Sequence, residues 1–360
     1  AQVLRHNLMG STAVDGWRFV VAVCLCHAAH LYFVCNIFSF GALMCVDLGW
    51  AQDRDNAGFV AGYLNSANTL GRIPTAGLWG FIADRYGYRS AVLATFSFLA
   101  IGGIAFGSST AFALSLASRF VFCGALNGWI SMFVPLCTTP GEQRMQMLGH
   151  VLGAGQLVQT LAPAIGAWMY TATQHSTWPA SGPSFVGVFL TFGALAAAWH
   201  WIPSGIVQDS GSSEPQRTDR FGWCSSAVAG TQLLRGMSGF LLFQLFDVVP
   251  LWAISLRSTG GLELSQNQLG LVLAGSGIVN TFFAMVVMPR ITKRFGAKNS
   301  SVWACLVAAI AFFIIPRVRN AVQLSVVLSI GNAALTVSVR SQPSSPQIPF
   351  IHRNEELRTA

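Results

Sequence analysis

The sequence predicts an all-α, polytopic membrane protein with about ten transmembrane helices. Hydrophobic residues make up 53% of the chain and charged residues only 9%, whereas soluble domains average about 25% charged residues. Apolar runs of about 20 residues, the length that crosses a bilayer, recur along the chain. The composition also includes 26 Phe and 36 Gly, which suits lipid-facing helices that pack closely through small residues. A soluble core explains this composition less well.

The charge and cysteine patterns argue against several other classes of protein. The net charge is +8, but the basic residues are scattered between apolar runs, so we expect no nucleic-acid partner. The eight cysteines include no C-x-x-C pair, which argues against a zinc knuckle or a disulfide framework, and we interpret them as small buried side chains. The chain has neither a phosphate-binding G-x-x-x-x-G-K-S/T nor an H-E-x-x-H motif. We therefore expect no cofactor, no metal and no enzymatic activity.

The apolar runs divide into two groups. The first group predicts a six-helix bundle over residues 19–202, after a cytosolic tail at 1–18, with helices at 19–45, 57–82, 90–108, 111–135, 147–172 and 184–202. A stretch rich in Ser, Gly and Pro then predicts a flexible cytosolic linker at 203–237. The second group predicts an incomplete bundle over 238–339, with helices at 238–256, 267–289, 300–316 and 320–339. A polar tail follows at 340–360.

The basic residues predict the orientation, because cytosolic loops carry an excess of Lys and Arg. With a cytosolic N-terminus, the inside segments hold fifteen of these residues and the outside segments hold four, namely Arg54, Arg257, Arg317 and Arg319. We therefore expect the N-terminus in the cytosol.

A short internal repeat connects the two groups. The segment DRYGYR after the second helix aligns with KRFGAK after the eighth, 209 residues later. In this alignment Gly87 corresponds to Gly296. Two related halves are typical of secondary transporters.

The sharpest motif is GFIADRYGYRS, which joins the second and third predicted helices. It resembles the cytosolic signature of the major facilitator superfamily, G-x-x-x-D-R-x-G-x-R/K. The resemblance implies a gating loop that stabilises the outward-facing state. In that state the aspartate would bind a helix N-terminus or an arginine, and the two arginines would form ion pairs with acidic residues. The glycines would allow a close helix approach and a tight turn. The residues concerned are Gly80, Asp84, Arg85, Gly87 and Arg89. The alternative is an ordinary positively charged hairpin.

Two further segments resemble motifs of the same superfamily. RFVFCGALNG runs from Arg119 through Asn127 and resembles the R-x-x-x-G-x-x-N-G pattern. Arg119 lies about 12 Å into its helix, where a charge costs at least ~2.5 kcal/mol and so needs a cavity or a partner. GAGQLVQTLAPAIGAW contains Gln156 and resembles the antiporter-associated motif, although Ala162 replaces the glycine before the proline.

The segment around Arg72, NSANTLGRIPTAGLWGFIADRYG, is similar to the zinc-induced-facilitator-like and tetracycline-resistance-like branch, which includes drug:proton antiporters. The resemblance makes Arg72 a candidate for the transport pathway. Glu142 and Arg144, between the fourth and fifth helices, are candidate partners of the Asp84 loop or else an exposed pair.

In the second half, FLLFQLFDVVPLWA places Gln244 and Asp247 inside a predicted helix. A carboxylate in a membrane is by default a proton or cation site. A fixed ion pair between Asp247 and Arg72 or Arg119 is the alternative. In the first helix, Cys24, His27 and His30 lie near one face, where packing or pore lining is favoured over metal binding because no carboxylate joins them.

The resemblance implies a proton-coupled carrier that works by alternating access, with the lipid bilayer, a small-molecule substrate and protons as partners. The candidate residues of its transport pathway or coupling are Arg72, Arg119, Asn127, Gln156, Gln244 and Asp247. The superfamily has twelve helices, so the expected ten indicate an incomplete copy. The rival hypothesis is a truncated, non-transporting membrane protein that acts as a partner or receptor. Proton dependence separates the two. No sorting motif distinguishes the plasma membrane from a vacuolar-type membrane.

Overall fold

The computed structural model describes residues 13–132, 141–203 and 248–340, together with residues 230, 233 and 237. The described residues form helices joined by turns and short loops and contain no strand, which confirms the predicted all-α class. The predicted linker, apart from those isolated residues, and the tail beyond residue 340 lie outside the described residues.

The first half contains the helices α1 Ala13–Cys35, α2 Ile37–Asp47, α3 Arg54–Tyr86, α4 Tyr88–Gly107, α5 Phe112–Ala117, α6 Gly141–Thr173 and α7 Ser181–Trp201. The predicted helix at 19–45 is thus two helices, interrupted at Asn36. The start of α3 follows from its sequence, because the side chain of Asp53 accepts a hydrogen bond from the backbone N–H of Asn56 at 2.8 Å and caps the helix.

The predicted helix at 111–135 also departs from a single regular element. After α5 the chain continues as a π-helix, Ser118–Ala125, and then as a 3₁₀-helix, Trp129–Met132. π-Helical segments are rare and occur frequently at functional sites. Here the segment contains Arg119.

The second half begins with helical residues 248–254, followed by a short 3₁₀-helix, Arg257–Thr259. It continues with α8 Gln266–Phe282, a π-helix Phe283–Val287, α9 Met288–Phe295, α10 Ala297–Ile314 and α11 Ala321–Arg340. A capping box between Ser265 and Gln268 sets the start of α8. The predicted helices at 267–289, 300–316 and 320–339 are therefore present.

Four described helices are long and apolar enough to cross a membrane: Gly16–Asp47, Tyr88–Gly107, Ser181–Trp201 and Asn299–Arg317. Phe112–Ala125 and Ala321–Leu335 are apolar but shorter. Helices α3 and α6 have 33 residues each, which corresponds to about 50 Å and exceeds the bilayer core. Both contain interior polar residues that lower their mean hydropathy, as expected of helices whose polar face is turned away from lipid.

The described residues form two bundles whose cores, within this part of the chain, merge at one end of the molecule only. One apolar cluster joins Phe40, Leu64 and Tyr170 of the first bundle to Ile254 and Leu269 of the second. A second cluster, which includes Phe19, Phe96 and Ala198, is made by the first bundle alone. A small third one, Met288, Ala304 and Val337, is made by the second bundle alone.

We call the end that carries the α3–α4 connection the Asp84 end, and the end that carries residues 48–53, 108–111 and 174–180 the far end. At the far end the indole N–H of Trp50 donates to the carbonyl oxygen of Thr110 at 3.1 Å. The shared cluster lies toward the far end, and the two separate cores lie toward the Asp84 end. In this conformation the bundles are closed against each other at the far end.

The internal repeat has the same backbone geometry in both halves. Gly87, between α3 and α4, has φ 84° and ψ 151°, and Gly296, between α9 and α10, has φ 76° and ψ 158°. Residues other than glycine rarely adopt this region. The short sequence match of the two segments therefore reflects one turn used twice.

We predict that Gly87→Ala destabilises the α3–α4 connection by about 1–3 kcal/mol, because alanine is strained at this backbone conformation. The measurement is the thermal midpoint of the detergent-solubilised protein. Gly80→Ala is the matched control, since a Cβ at Gly80 meets no described atom within 4 Å. Equal midpoints for the two variants would contradict the prediction.

Candidate functional site

The central part of the first bundle is held together by two glycines that bring α3 against the π-helix. A Cβ on Gly71 would lie 2.2 Å from the carbonyl oxygen of Phe120, and one on Gly124 would lie 2.6 Å from the carbonyl oxygen of Asn68. Backbone thus touches backbone at this crossing. The end of the π-helix is tied down by Trp79, whose indole N–H donates to the carbonyl oxygen of Ala125 at 2.8 Å.

Arg119 extends from the π-helix into the interior of the first bundle, where only 2% of its surface is exposed. Its Nε donates to the carbonyl oxygen of Leu64 at 2.9 Å, and its Nη1 donates to that of Phe33 at 3.3 Å. The guanidinium carbon also lies 5.5 Å from the centroid of the Phe106 ring. The buried charge was expected to need a partner, and its partners are two backbone carbonyl oxygens and the face of an aromatic ring. Through these contacts Arg119 connects α1, α3 and α4.

Arg72 lies near the middle of α3 and is half-buried. Its Nη2 donates to the side-chain oxygen of Asn68 at 3.3 Å, one turn earlier on the same helix. Its Nε is buried and has no hydrogen-bond partner among the described residues. The two arginines thus differ, because Arg119 bonds to carbonyls of two other helices, whereas the hydrogen bond of Arg72 among the described residues stays within α3.

A polar and aromatic cluster lies next to the two arginines. The side-chain amide of Asn127 is 3.2 Å from Nδ1 of His30 and donates to the carbonyl oxygen of Cys123 at 3.3 Å. The rings of His27 and His30 lie 4.9 Å and 5.1 Å from the ring of Trp129. His30 and Arg72 are close enough to interact electrostatically. Within the described residues no group of three potential metal ligands is present.

The residues of the gating motif lie at the Asp84 end. Asp84 and Arg85 are exposed, and the Arg85 guanidinium is 6.0 Å from the ring of Tyr86. Arg89 donates to the carbonyl oxygen of Trp199 at 2.6 Å and lies 4.9 Å from its ring, so it binds the end of α7 rather than an acidic residue.

Two other parts of the motif differ in their outcome. Gly87 makes the tight turn, as predicted. The expected close helix approach at Gly80 stays a prediction, since an added Cβ would meet no described atom within 4 Å. The side chains of Glu142 and Arg144 lie outside the described part of the chain.

Helices α6 and α8 form the contact between the bundles. The hydroxyls of Thr160 and Thr281 are 3.3 Å apart, and a Cβ on Gly277 would lie 2.4 Å from Thr160. Toward the far end, Gln266 donates to the carbonyl oxygen of Ala167 at 3.3 Å. Gln156 lies one turn before Thr160 and is half-buried. The contact contains small and hydroxyl-bearing side chains and, among the described residues, no charged one.

Sequence reasoning selected Arg72, Arg119 and Asn127, and the structure brings them into one region. It missed Asn68, Thr160 and Thr281. A signal for Asn68 was available, because it precedes Arg72 by four residues and therefore lies on the same helix face. Gln244 and Asp247 lie outside the described residues.

Comparison with known proteins agrees with this architecture. The family model described as Major Facilitator Superfamily matches residues 28–346. An Arabidopsis thaliana protein named as a probable peptide/nitrate transporter is 27% identical over 313 residues, which are 77% of this chain and 63% of that protein. The ZINC INDUCED FACILITATOR 1 protein of Arabidopsis thaliana is 25% identical over 301 residues, 73% of this chain and 62% of that protein. The chain thus spans somewhat less than two thirds of the length of these relatives.

Among solved structures, a D-xylose–proton symporter superposes with a TM-score of 0.63 at 13% identity, covering 89% of this chain and 80% of that one. This likeness shows the fold. Together with the family match over most of the chain, it identifies an integral, multi-pass membrane protein with a two-bundle helix fold. The chain belongs to the Major Facilitator Superfamily.

Proposed function

We propose that this protein moves a small solute across a membrane by alternating access. The observation that carries the proposal is that, among the described residues, the bundle cores merge at the far end and are separate at the Asp84 end. Two bundles closed at one end are one of the two states that alternating access requires. The half-buried Arg72, near mid-helix, provides a polar contact at the depth where such carriers bind their substrates.

The Asp84 end is proposed to face the cytosol, because it contains the larger share of basic residues. In that orientation this conformation opens inward. The Asp84 motif is then the gate that would close in the outward-facing state, with Glu142 and Arg144 as candidate partners. Gln156 and Asn127 are proposed as residues of the transport pathway.

Proton coupling is a further part of the proposal, and Asp247 is its carrier. No other Asp or Glu lies well inside a predicted helix, and a carboxylate in a membrane tends to bind protons or cations. Gln244 lies one turn earlier in the same predicted helix, where it can contribute to the pathway. If Asp247 forms a fixed ion pair instead, it will not release a proton during transport.

The experiment measures the distance between the two bundles at the Asp84 end in lipid nanodiscs. Spin labels at Ser90→Cys and Asn299→Cys occupy exposed, equivalent positions of the repeat, in a background in which the eight native cysteines are replaced by alanine. Alternating access predicts two distance populations. A single population under all conditions would contradict the proposal and favour a non-transporting protein.

The same labels test proton coupling. We expect the two populations to shift between pH 5.5 and pH 8, values chosen to protonate and deprotonate a membrane-embedded carboxylate, and we expect Asp247→Asn to remove the shift. Glu263→Gln is the matched control, because Glu263 is exposed in a loop at the far end. A shift that persists in Asp247→Asn would overturn the assignment of the carboxylate.

A further inference from the structure

The interior of the first bundle contains two arginines and no acidic residue. The sequence has no Asp or Glu in residues 16–46, 56–83, 88–141 or 143–202, so the acids of this bundle lie at helix ends. Arg72 and Arg119 lie within these acid-free ranges and are close enough to repel each other. A buried charge is costly in a membrane unless it is paired or hydrogen-bonded. The bundle therefore needs negative charge or hydrogen-bond acceptors at two places.

Arg119 obtains its acceptors from the protein. The carbonyl oxygens of Leu64 and Phe33 take two of its N–H groups, and the Phe106 ring covers the guanidinium. Arg119 is 2% exposed, so a solute has almost no access to it. These contacts hold α1, α3 and α4 together, which is a structural role.

Arg72 is not satisfied in this way. Its hydrogen bond goes to Asn68 on its own helix, at the long distance of 3.3 Å, and its Nε is buried without a partner among the described residues. A guanidinium has five N–H donors in a planar fork that suits a carboxylate. Most of this donor capacity is unused by the described residues.

The direction of the Arg72 side chain follows from its helix. Gly58, 14 residues earlier on α3, faces Leu251 of the second bundle, because a Cβ there would lie 3.5 Å from it. A step of fourteen residues rotates the helix by about 1400°, which is about 40° short of four full turns. Arg72 therefore lies near the same face of α3 as Gly58, about 21 Å closer to the Asp84 end. At that depth this face of α3 is directed toward the second bundle, and among the described residues the hydrogen bond of Arg72 goes to Asn68 on its own helix.

We propose that Arg72 binds a carboxylate of the transported solute, so that the substrate is a small organic anion. This inference rests on the proposed transport function and adds the substrate class. Asn68, which accepts from one end of the guanidinium, holds the fork in position for the carboxylate. The bound anion would neutralise the positive charge of Arg72, which has no acidic residue inside the first bundle to pair with.

The experiment measures access to Arg72 without requiring transport. The detergent-solubilised chain is treated with phenylglyoxal, which modifies accessible guanidinium groups, and labelling of each arginine is followed by peptide mass spectrometry. We expect Arg72 to react at least about tenfold faster than Arg119. Benzoate and succinate should slow labelling of Arg72, whereas the uncharged and similarly shaped benzamide and succinamide should not.

Thermal unfolding supplies the second readout. Carboxylates that protect Arg72 should raise the unfolding midpoint of the wild-type protein, and Arg72→Gln should weaken their binding by about tenfold or more. Arg257→Gln is the matched control, because Arg257 is exposed at the far end, and it should bind them as the wild type does. Failure of every carboxylate to protect Arg72, or equal protection by the amides, would overturn the proposal.

Two results separate this inference from its alternatives. If Asp247 were the fixed partner of Arg72, Asp247→Asn would speed the labelling of Arg72, and that result would also overturn the proposal. Unchanged labelling supports it. If carboxylates protect Arg72 while the spin labels report a single distance, the anion site stands and the transport function fails.

Discussion

Gly71→Ala is expected to prevent the first bundle from packing. The added Cβ would lie 2.2 Å from the carbonyl oxygen of Phe120 and 2.9 Å from the backbone nitrogen of Ala125. Both atoms belong to the backbone of the π-helix, so no side chain can rotate to make room. Overpacking a core costs about 1–3 kcal/mol when side chains adjust, and we expect a loss of at least about 3 kcal/mol here.

The measurement is the yield of monodisperse protein in size-exclusion chromatography, together with its thermal unfolding midpoint. Gly77→Ala is the matched control on the same helix, because its Cβ would meet no described atom within 4 Å. Alanine has the higher helix propensity, so Gly77→Ala should be neutral or stabilising by up to about 1 kcal/mol. A Gly71→Ala protein with the wild-type midpoint would show that α3 and the π-helix do not cross this closely.

Arg119→Ala is expected to be the most damaging change of a charged residue. Two hydrogen bonds from a charged donor contribute about 3–6 kcal/mol, and the cavity left by a large buried side chain adds about 2–5 kcal/mol. Removing the charge relieves a cost of about 2.5–3.5 kcal/mol. The losses exceed the relief, and the net destabilisation should be about 3 kcal/mol or more.

Thermal unfolding of Arg119→Ala tests this balance, with Arg317→Ala as the control. Arg317 is exposed and bonds to the carbonyl oxygen of Phe313 on its own helix, so its loss should cost little. Arg119→Lys should fall between the two, because one ammonium lacks the planar fork that reaches both carbonyls. If Arg119→Ala were more stable than the wild type, the free-energy cost of burying the charge would exceed the stabilisation from its hydrogen bonds and packing.

The contrast between Arg72 and Arg119 shows where sequence reasoning stops. Both are arginines inside predicted helices, and both were candidates for the transport pathway. Arg119 lies on a segment whose π-helical winding directs it into the bundle, against the carbonyls of α1 and α3. Arg72 lies near the helix face that borders the second bundle. Sequence spacing along one helix does not reveal which other helix each face meets.

The fold class was accessible from the sequence because hydropathy is a local property. Each apolar run has to be helical in a bilayer, since only a helix satisfies its own backbone hydrogen bonds there. Gly87 was accessible for a similarly local reason, because the turn between α3 and α4 has a backbone conformation that favours glycine. The approximate positions of most helices and the repeat of this turn at Gly296 followed from these local signals.

Tertiary structure decided the rest. The break at Asn36, the π-helix at Arg119 and the closure of the bundles at the far end depend on contacts between residues distant in sequence, such as Gly71 with Phe120 and Thr160 with Thr281. The sequence alone therefore determined that the chain forms membrane helices and where their charged ends lie, because each of these depends on a single segment. Arg119 bonds to the backbone of other helices, whereas Arg72 keeps unused hydrogen-bond donors among the described residues. This difference depends on how the helices are rotated against each other, and only their packing determines that rotation.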